Sequence, residues 1–313
     1  MKISVVIITR NRKEDLRRSL DAFMKQTYEN KEIIVLDNAS SDGTRLMMGE
    51  DFPQIKYLWL PENFDIRTIN IGVEMSDGDI IWRTDDDSHP ESEFAFQQIV
   101  DILTYNPDID VIATLDVEVR RGNEPWEWYP LPYDVNNVPS NGYQSHFFPG
   151  TGAAIRRKVF DKIGGFWEFG FEELDFCSRA ILANFSVRFF PNIRVLHYAS
   201  QSDRIKPDRW VNISRQFMRY NWKYFPMKRL WGLTILTFFS QTVHAIASGI
   251  PLSVYFEGIF SMLAVIIHTY RNERVVVPPE KLYDITLGVS MTKAQINYFK
   301  ILIRNKFKEI WKK

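Results

Sequence analysis

Three consecutive carboxylates, Asp85-Asp86-Asp87, follow a short apolar segment and are the strongest chemical feature of this 313-residue sequence. The preceding residues 79–83 are predicted to form a buried strand, because short apolar runs with β-branched members are typical of parallel sheets. Like charges at a strand end repel one another, and carboxylate oxygens are the ligands that hard divalent ions prefer. The triplet by itself would be better explained as a solvated acidic turn, but together with the polar residues described next it predicts a cation site.

Polar residues that could bind a nucleotide follow two other apolar segments, at 3–8 and 32–36. Candidates for contacts with base and ribose are Thr9, Asn11, Asp37 and Asn38, of which Asp37 could accept the N3–H of uracil or thymine. Candidate counter-charges for a diphosphate are Arg10, Arg12 and Arg67. Residues of these types also form turns and helix N-caps, which is the structural alternative. Neither a G-x-G-x-x-G motif nor a P-loop follows the first strand, which argues against a dinucleotide-binding fold.

The elements that must position these residues alternate along the chain. Strands are predicted at 3–8, 32–36, 55–60 and 79–83, with helical segments at 14–26 and 67–75 between them. This alternation indicates an α/β fold with a doubly wound, mostly parallel sheet flanked by helices. Right-handed crossovers bring the loops that follow parallel strands to one sheet edge, where ligands bind in such folds.

A polar and aromatic segment at 116–145 is predicted to be a lid or binding loop. Its aromatic rings suit the apolar faces of sugars, which makes Trp126, Trp128 and Tyr129 candidates for acceptor binding. The alternative is that these rings pin the loop to the core. The small residues of Gly150-Thr151-Gly152 would allow a ligand to approach the backbone closely.

From residue 3 to about residue 202 the chain resembles the family 2 inverting glycosyltransferases, which have the GT-A fold. The resemblance rests on residues 5–12, on the loop at 37–44, on Asn70-Ile71-Gly72 and on the aspartate triplet, which fits the family's DxD motif. A later segment, Arg219-Tyr220-Asn221, resembles an Arg-Asn element of rhamnosyltransferase-like members. The resemblance implies that Asn70, Asp85 and Asp86 contribute to nucleotide-sugar binding.

The resemblance also implies the groups that carry the reaction. Glu172-Glu173-Leu174-Asp175 is similar to the family's acidic catalytic motif, so Glu173 is expected to be the base, with Glu172 and Asp175 as the alternatives. A carboxylate can deprotonate the acceptor hydroxyl in a single inverting displacement. The implied metal ligands for Mn²⁺ or Mg²⁺ are Asp87, Asp85 and His197, the last within a His-x-x-Ser pattern.

The remainder of the chain, 206–313, is predicted to be a helical region that follows a catalytic domain at 1–205. Residues 230–256 contain no charged side chain, a second apolar stretch covers 258–270, and the intervening proline would end a helix. A monotopic or oligomer-forming hairpin, a buried subdomain and a double membrane span are the three possible interpretations. The tail at 291–313 is predicted to be a basic amphipathic helix that binds an anionic membrane surface or packs on the protein.

Equal numbers of basic and acidic residues, 39 each, give no indication of nucleic-acid binding, and the single cysteine excludes an internal disulfide framework. The prediction is a metal-dependent inverting glycosyltransferase on the cytoplasmic face of a membrane. It would use a UDP- or dTDP-sugar, act on a lipid-linked or cell-surface glycan, and form a homo-oligomer if the C-terminal helices pair. The alternatives are a sugar-1-phosphate nucleotidylyltransferase and a non-catalytic nucleotide-sugar or glycan-binding protein.

Overall fold

The computed structural model describes residues 1–199 and 207–287. The chain divides into two compact units, the first formed by Met1–Glu168 with Glu172–Ala199 and the second by Phe169–Phe171 with the described residues from 207 onward. The predicted tail helix at 291–313 and Ser200 of the His-x-x-Ser pattern lie outside the described residues.

The first unit is an α/β structure. Its strands are β1 (Ile3–Thr9), β2 (Lys31–Asn38), β3 (Lys56–Leu60), β4 (Ile80–Asp85), β5 (Ser88–Pro90), β6 (Val111–Glu118), β7 (Glu124–Pro125), β8 (Tyr143–Gln144), β9 (Ala153–Arg156) and β10 (Val187–His197). Its helices are α1 (Lys13–Met24), α2 (Thr44–Asp51), α3 (Thr68–Met75), α4 (Ala95–Tyr105), α5 (Arg157–Ile163) and α6 (Glu172–Leu182), and 3₁₀ turns occupy Asp65–Arg67 and Val119–Arg121.

The strands form one sheet in the order β3-β2-β1-β4-β9-β6-β10-β5, with β7 beside β6 and β8 beside β10. Strands β1 to β4 are mutually parallel and β6 is parallel to β10, whereas β9 runs antiparallel between β4 and β6. The carboxyl ends of β1, β2, β4, β6 and β10 therefore meet at one edge of the sheet, together with the amino end of β9. The predicted doubly wound, mostly parallel sheet is confirmed.

Hydrophobic periodicity explains how the helices cover this sheet. Helix α1 buries Leu16, Leu20 and Phe23 on one stripe, as predicted for an amphipathic helix. Helix α3 packs through Gly72, because a side chain there would collide with Val6 and Leu36 of the neighbouring strands.

One predicted boundary is corrected at the acidic strand. The apolar run indicates a strand over 79–83, but β4 continues to Asp85, which is aligned with Ile8 of β1. Backbone pairing with β1 extends the strand into the carboxylates, so the first aspartate is part of the sheet and the other two form the turn.

The second unit is helical, with α7 (Pro207–Tyr224), α8 (Met227–Ala247), α9 (Leu252–Asn272) and α10 (Pro279–Asp284). The break at Gly249-Ile250-Pro251 separates α8 from α9, as the proline predicts. Helices α8 and α9 are each 21 residues long and, by length and composition alone, could cross a membrane.

Candidate active site

The three aspartates at the end of β4 have different surroundings. The Asp85 side chain is 36% exposed, whereas those of Asp86 and Asp87 are buried. Asp86 accepts a hydrogen bond from Thr9 Oγ1 at 2.7 Å and another from Arg12 Nη1 at 3.1 Å. Burial and the neighbouring Asp87 raise the pKa of Asp86 to about 7, against the opposing effects of Arg12 and Thr9. Thr9 and Arg12 thus hold the second aspartate, whereas Asp85 is the aspartate most exposed to solvent.

Asp87 is linked to a histidine on the last long strand. Its Oδ2 accepts a hydrogen bond from Arg12 Nη1 at 2.7 Å, and its Oδ1 lies 3.6 Å from His197 Nε2. The other ring nitrogen, His197 Nδ1, lies 3.2 Å from Oδ2 of the buried Asp116 near the end of β6. Burial opposes the charged imidazole, but the hydrogen bond to Asp116 and the nearby Asp87 raise the pKa of His197. Asp116 thus fixes the ring so that Nε2 points towards Asp87.

This arrangement suits a divalent cation in its donor chemistry. Ligands of an octahedral Mg²⁺ lie about 2.0–2.1 Å from the ion, so adjacent ligand atoms are about 3 Å apart. Asp87 Oδ1 and His197 Nε2, which are 3.6 Å apart, would have to approach each other by about 0.6 Å to bind such an ion together. A carboxylate that holds the second ring nitrogen is the usual partner of a metal-binding histidine. Within residues 1–199 and 207–287, no three His, Cys, Asp or Glu side chains form a metal-binding group, so an ion here would also take ligands from substrate phosphates.

A buried arginine brings the predicted base close to the aspartates. Arg83 of β4 places Nη1 3.3 Å from Asp85 Oδ1 and Nη2 3.3 Å from Glu173 Oε1. Because the terminal nitrogens of a planar guanidinium are about 2.3 Å apart, those two carboxylate oxygens are at most about 9 Å apart. The acidic start of α6 and the acidic end of β4 therefore share one region of the first unit.

The other carboxylates of α6 have different environments. Asp175 accepts a 2.7 Å hydrogen bond from Arg179 Nε, and the same guanidinium donates to the carbonyls of Ile163 and Gly165. Glu172 is buried, with 7% of its surface exposed. An ion pair with Arg83 joins Glu173 to the aspartate strand.

The predicted nucleotide-binding residues form much of the loop structure at the carboxyl edge of the sheet. Asn11 Oδ1 accepts from the backbone N–H of Ser41 at 2.7 Å, which ties the loop after β1 to the loop after β2. Asp37 is fully buried, and its two oxygens accept from Ser40 N at 2.8 Å and from Tyr57 Oη at 2.6 Å. Asp37 therefore lies beneath the loop that follows β2.

Two amides and two arginines complete this group. Asn38 Oδ1 accepts from Thr68 Oγ1 at 2.7 Å, and Asn70 exchanges hydrogen bonds of 2.7 and 2.8 Å with the backbone of Phe166. The Arg10 and Arg67 side chains are exposed and make no hydrogen bond or ion pair with the described residues. The arginines, unlike the amides, are available to a ligand.

The predicted acceptor residues have different environments in the structure. The Trp126 side chain is 48% exposed, whereas Trp128 packs against Tyr129, Phe147 and Phe189 with ring centroids 4.8 to 5.5 Å apart. Thr151 is buried and donates to Asp116 Oδ2 at 3.0 Å. The loop Gly150-Thr151-Gly152 consequently lies between the Arg83–Glu173 pair and the Asp116–His197 pair, because a side chain at Gly150 would collide with both Arg83 and Glu173.

Two residues of this region, Arg83 and Asp116, are absent from the predicted site. A charged residue inside an apolar strand segment, one position after Trp82, is the sequence signal that could have identified Arg83. Asp116 lies in strand β6, whose final residues fall in the polar segment 116–145 and are obscured by its composition, so the partner His197 could not be inferred from the spacing.

Comparisons with known proteins identify the family to which the chain belongs. Residues 4–164 match the family described as glycosyl transferase family 2. A probable glycosyltransferase of Bacillus subtilis, YdaM, is 23% identical over 249 residues, which cover 70% of this chain and 54% of YdaM. An uncharacterized glycosyltransferase of Nostoc is 26% identical over 174 residues, 52% of this chain and 53% of the relative. The chain thus matches about half the length of these curated relatives.

Two solved structures share the fold at low sequence identity. The mannosyltransferase PcManGT from Pyrobaculum calidifontis, in complex with GDP-Man and Mn²⁺, is 16% identical with a TM-score of 0.56, and the match covers 100% of this chain and 88% of PcManGT. S. aureus TarS 1-349, in complex with UDP-GlcNAc, is 16% identical with a TM-score of 0.54, covering 87% and 90%. These likenesses confirm the expected GT-A fold. Because the family match covers just over half of the 313 residues, the chain belongs to glycosyl transferase family 2.

Proposed function

We propose that the chain is a metal-dependent inverting glycosyltransferase that transfers a sugar from a UDP- or dTDP-sugar to a hydroxyl of a lipid-linked or cell-surface glycan. The observation that carries this proposal is the pair of contacts made by Arg83, which holds Asp85 and Glu173 in one region. A single displacement requires a donor site and a base on opposite sides of one anomeric carbon, and a separation below about 9 Å is compatible with that geometry.

In this proposal the chain's residues divide the reaction between them. Glu173 accepts the proton of the acceptor hydroxyl as that oxygen forms its bond to the anomeric carbon. The bond from the anomeric carbon to the phosphate oxygen breaks at the same time, and the nucleoside diphosphate leaves with the electron pair. Asp85 binds the ribose or the ion, and Arg10 and Arg67 are available to the diphosphate. Asp37 is the proposed partner of the uracil or thymine N3–H, through lone pairs that its two present hydrogen bonds leave available.

Asp87 and His197, with Asp85, would hold Mn²⁺ or Mg²⁺. The ion would supply positive charge to the diphosphate as negative charge develops on it. Mn²⁺ accompanies GDP-Man in the PcManGT complex, which supports this assignment. Asp116 would keep His197 oriented, and Arg12 would keep Asp86 and Asp87 in place through its two ion pairs.

The test of this function is turnover by the purified full chain. A panel of UDP-, dTDP- and GDP-sugars with Mn²⁺ is first screened by thermal shift, because a ligand at 100 times its Kd stabilises the native state by about 2.7 kcal/mol. The stabilising donor is then incubated with glycan acceptors, and the anomeric configuration of the product is read by NMR.

A UDP- or dTDP-sugar and an inverted product are expected. A product with retained configuration would refute the mechanism, while nucleotide binding without turnover would favour the non-catalytic alternative. Sugar-1-phosphate nucleotidylyltransfer, the other alternative, gains no support from the family membership.

A separate expectation distinguishes the two lid tryptophans. Trp126→Ala should raise the KM for the acceptor about tenfold with little change in stability, because the exposed ring is available to stack on a sugar and 1.4 kcal/mol is a tenfold change. Trp128→Ala should instead lower the free energy of unfolding by about 3 kcal/mol, since it removes an aromatic ring packed among three others. Acceptor titrations and urea denaturation of both variants separate these roles; an unchanged acceptor KM for Trp126→Ala would remove Trp126 from the acceptor site.

We also propose that α8 and α9 attach the protein to the membrane surface as a hairpin, with both ends on the cytoplasmic side. Helix α8 exposes large apolar side chains and buries polar residues together with Leu230, Leu233 and Ala245. Its buried side includes Thr234, Thr237 and Gln241, whereas its exposed side carries Trp231, Ile235 and Phe239, which are 61 to 69% exposed. The polar residues bond to α7: Gln241 Oε1 accepts from Ser214 Oγ at 2.9 Å, and Thr234 Oγ1 accepts from the Trp222 ring nitrogen at 3.0 Å.

Helix α9 continues the apolar surface. Large apolar side chains recur every three or four residues along its whole length, and all are at least 46% exposed: Leu252, Phe256, Phe260, Leu263, Ile267 and Tyr270. Lys228, Arg229 and Arg271 lie near the open ends of the two helices, as the positive-inside rule requires for a hairpin that returns to the cytoplasm. Such an arrangement is typical of a monotopic attachment to anionic lipid.

Co-sedimentation with anionic vesicles tests this attachment. The combined variant Trp231→Gln, Ile235→Gln, Phe239→Gln should bind at least about tenfold more weakly than wild type, because each buried side chain contributes about 1.5–3 kcal/mol. Tyr105→Gln, which changes an 83% exposed ring of α4, is the matched control and should bind like wild type. If the triple variant binds vesicles normally but has a smaller mass by light scattering, the apolar face joins copies of the chain instead.

A further inference from the structure

Arg83 is an unusual residue for its position. It lies in β4, in register with Val6 of β1 and Ala153 of β9, and only 2% of its surface is exposed. A cation in the middle of a sheet is strongly unfavourable unless it is paired and hydrogen-bonded. An apolar residue would pack there at lower free-energy cost, so the guanidinium requires a further explanation.

The contacts of Arg83 are with acidic groups of the proposed active site. Nη1 faces Asp85 Oδ1 and Nη2 faces Glu173 Oε1, each at 3.3 Å, and the ring of Phe166 lies 6.0 Å from the guanidinium carbon. Nε and Nη1 form no hydrogen bond with the described residues, although both are buried.

Gly150 lies directly against the side chains of Arg83 and Glu173. A Cβ atom added there would lie within 3.0 Å of both Arg83 Nη1 and Glu173 Oε1, which real Cβ atoms do not approach. Gly150 has a φ angle that other residues adopt readily, so the need for glycine comes from the neighbouring side chains and not from the backbone. Arg83, Gly150 and Glu173 therefore form one contact group between β4, the loop before β9 and the start of α6.

We propose that Arg83 is a positioning residue, which keeps the Glu173 carboxylate ionised and aimed at the acceptor hydroxyl and links that orientation to Asp85 on the donor side. This inference rests on the proposed function, in which Glu173 is the base. The adjacent positive charge favours the carboxylate form that a base requires. The rigid fork of a guanidinium reaches two carboxylates at once, which a lysine ammonium or a neutral side chain cannot do.

The first experiment compares kcat with donor affinity. Arg83→Met keeps an unbranched but shorter side chain and removes the charge, and it should lower kcat at least about 100-fold, the lower limit of the contribution of a positioned base. The Kd for UDP and the donor KM should stay within about threefold of wild type, because Asp87 and His197 are intact and Asp85 is held in β4 by its pairing with Ile8. Arg83→Lys should recover only part of the loss.

Added guanidinium chloride should raise the kcat of Arg83→Ala, and sodium chloride at equal ionic strength should not. Arg17→Met, in an exposed ion pair with Asp51, is the matched control and should leave kcat unchanged.

The second experiment approaches the same contact from Gly150. Gly150→Ala should reduce kcat in the wild-type background, because its methyl group displaces the guanidinium and the carboxylate. In the Arg83→Ala background the same change should have an effect at least about tenfold smaller, since the group it displaces is gone. Equal effects in the two backgrounds would show that Gly150 acts independently of Arg83.

The outcomes separate this inference from the proposed function. A wild-type chain that turns over no nucleotide sugar would overturn both. An active wild type with normal kcat in Arg83→Met would overturn only the role of Arg83. Parallel losses of kcat, UDP binding and melting temperature in every Arg83 variant, without rescue by guanidinium, would assign Arg83 to folding and also overturn the inference.

Discussion

Glu173→Gln is expected to lower kcat for glycosyl transfer by about 10²–10⁴-fold while the Kd for the nucleoside diphosphate stays within about threefold of wild type. Glutamine has the same length and can still accept a hydrogen bond from Arg83, but it cannot take the proton of the acceptor hydroxyl. Single-turnover transfer assays and calorimetric titration with UDP measure the two quantities separately.

Glu74→Gln, on the exposed side of α3, is the matched control for this substitution and should leave both quantities unchanged. Parallel losses of transfer and nucleotide binding in Glu173→Gln would make Glu173 a structural residue. Full activity of Glu173→Gln combined with loss of transfer in Glu172→Gln or Asp175→Asn would move the base to one of those positions.

Removal of divalent ions is the second large effect that we expect. EDTA should reduce transfer at least about 100-fold, because an ion at the diphosphate contributes several kcal/mol to the stabilisation of the developing charge. Asp87→Asn should produce a comparable loss in saturating donor and should abolish the stimulation by added Mn²⁺. Initial rates over a Mn²⁺ titration, measured after chelation, test both statements.

Direct Mn²⁺ binding gives an independent readout. Asp116→Asn, which changes the partner of His197 and leaves His197 in place, should weaken Mn²⁺ binding by about 10- to 100-fold. Asp51→Asn, in an exposed ion pair, should have no effect. Full transfer in the presence of EDTA, or a wild-type Mn²⁺ response in Asp87→Asn, would rule out this metal site.

The sequence predicted the fold better than it predicted the environments and roles of individual residues. Alternation of strands and helices, the break at Gly249-Ile250-Pro251 and the loops at one sheet edge are local or topological properties, and all three are present in the structure. Which aspartate of the triplet is open to solvent depends on tertiary partners. Thr9 and Arg12 donate hydrogen bonds to Asp86, and neither contact can be predicted from the spacing of the residues in the sequence.

The same limit explains the residues that the sequence could not identify or separate. Trp126 and Trp128 are equivalent by composition, but the ring of Phe189, which is distant in sequence, packs against only Trp128 of the two. Arg83 interrupts an apolar segment, so periodicity assigns it to the strand and says nothing about its partner 90 positions later. The role of Asp116 likewise depends on its contact with His197, which lies on a strand much later in the chain.

The central claim is that the cation site and the base belong to one cleft. Crystals of the full chain grown with Mn²⁺ and UDP, measured at the manganese absorption edge, test it directly. We predict an anomalous peak about 2.0–2.3 Å from Asp87 and His197 Nε2, with the β-phosphate on the ion and within about 10 Å of Glu173. A manganese peak bound elsewhere, or a diphosphate more than about 15 Å from Glu173, would contradict the proposed mechanism.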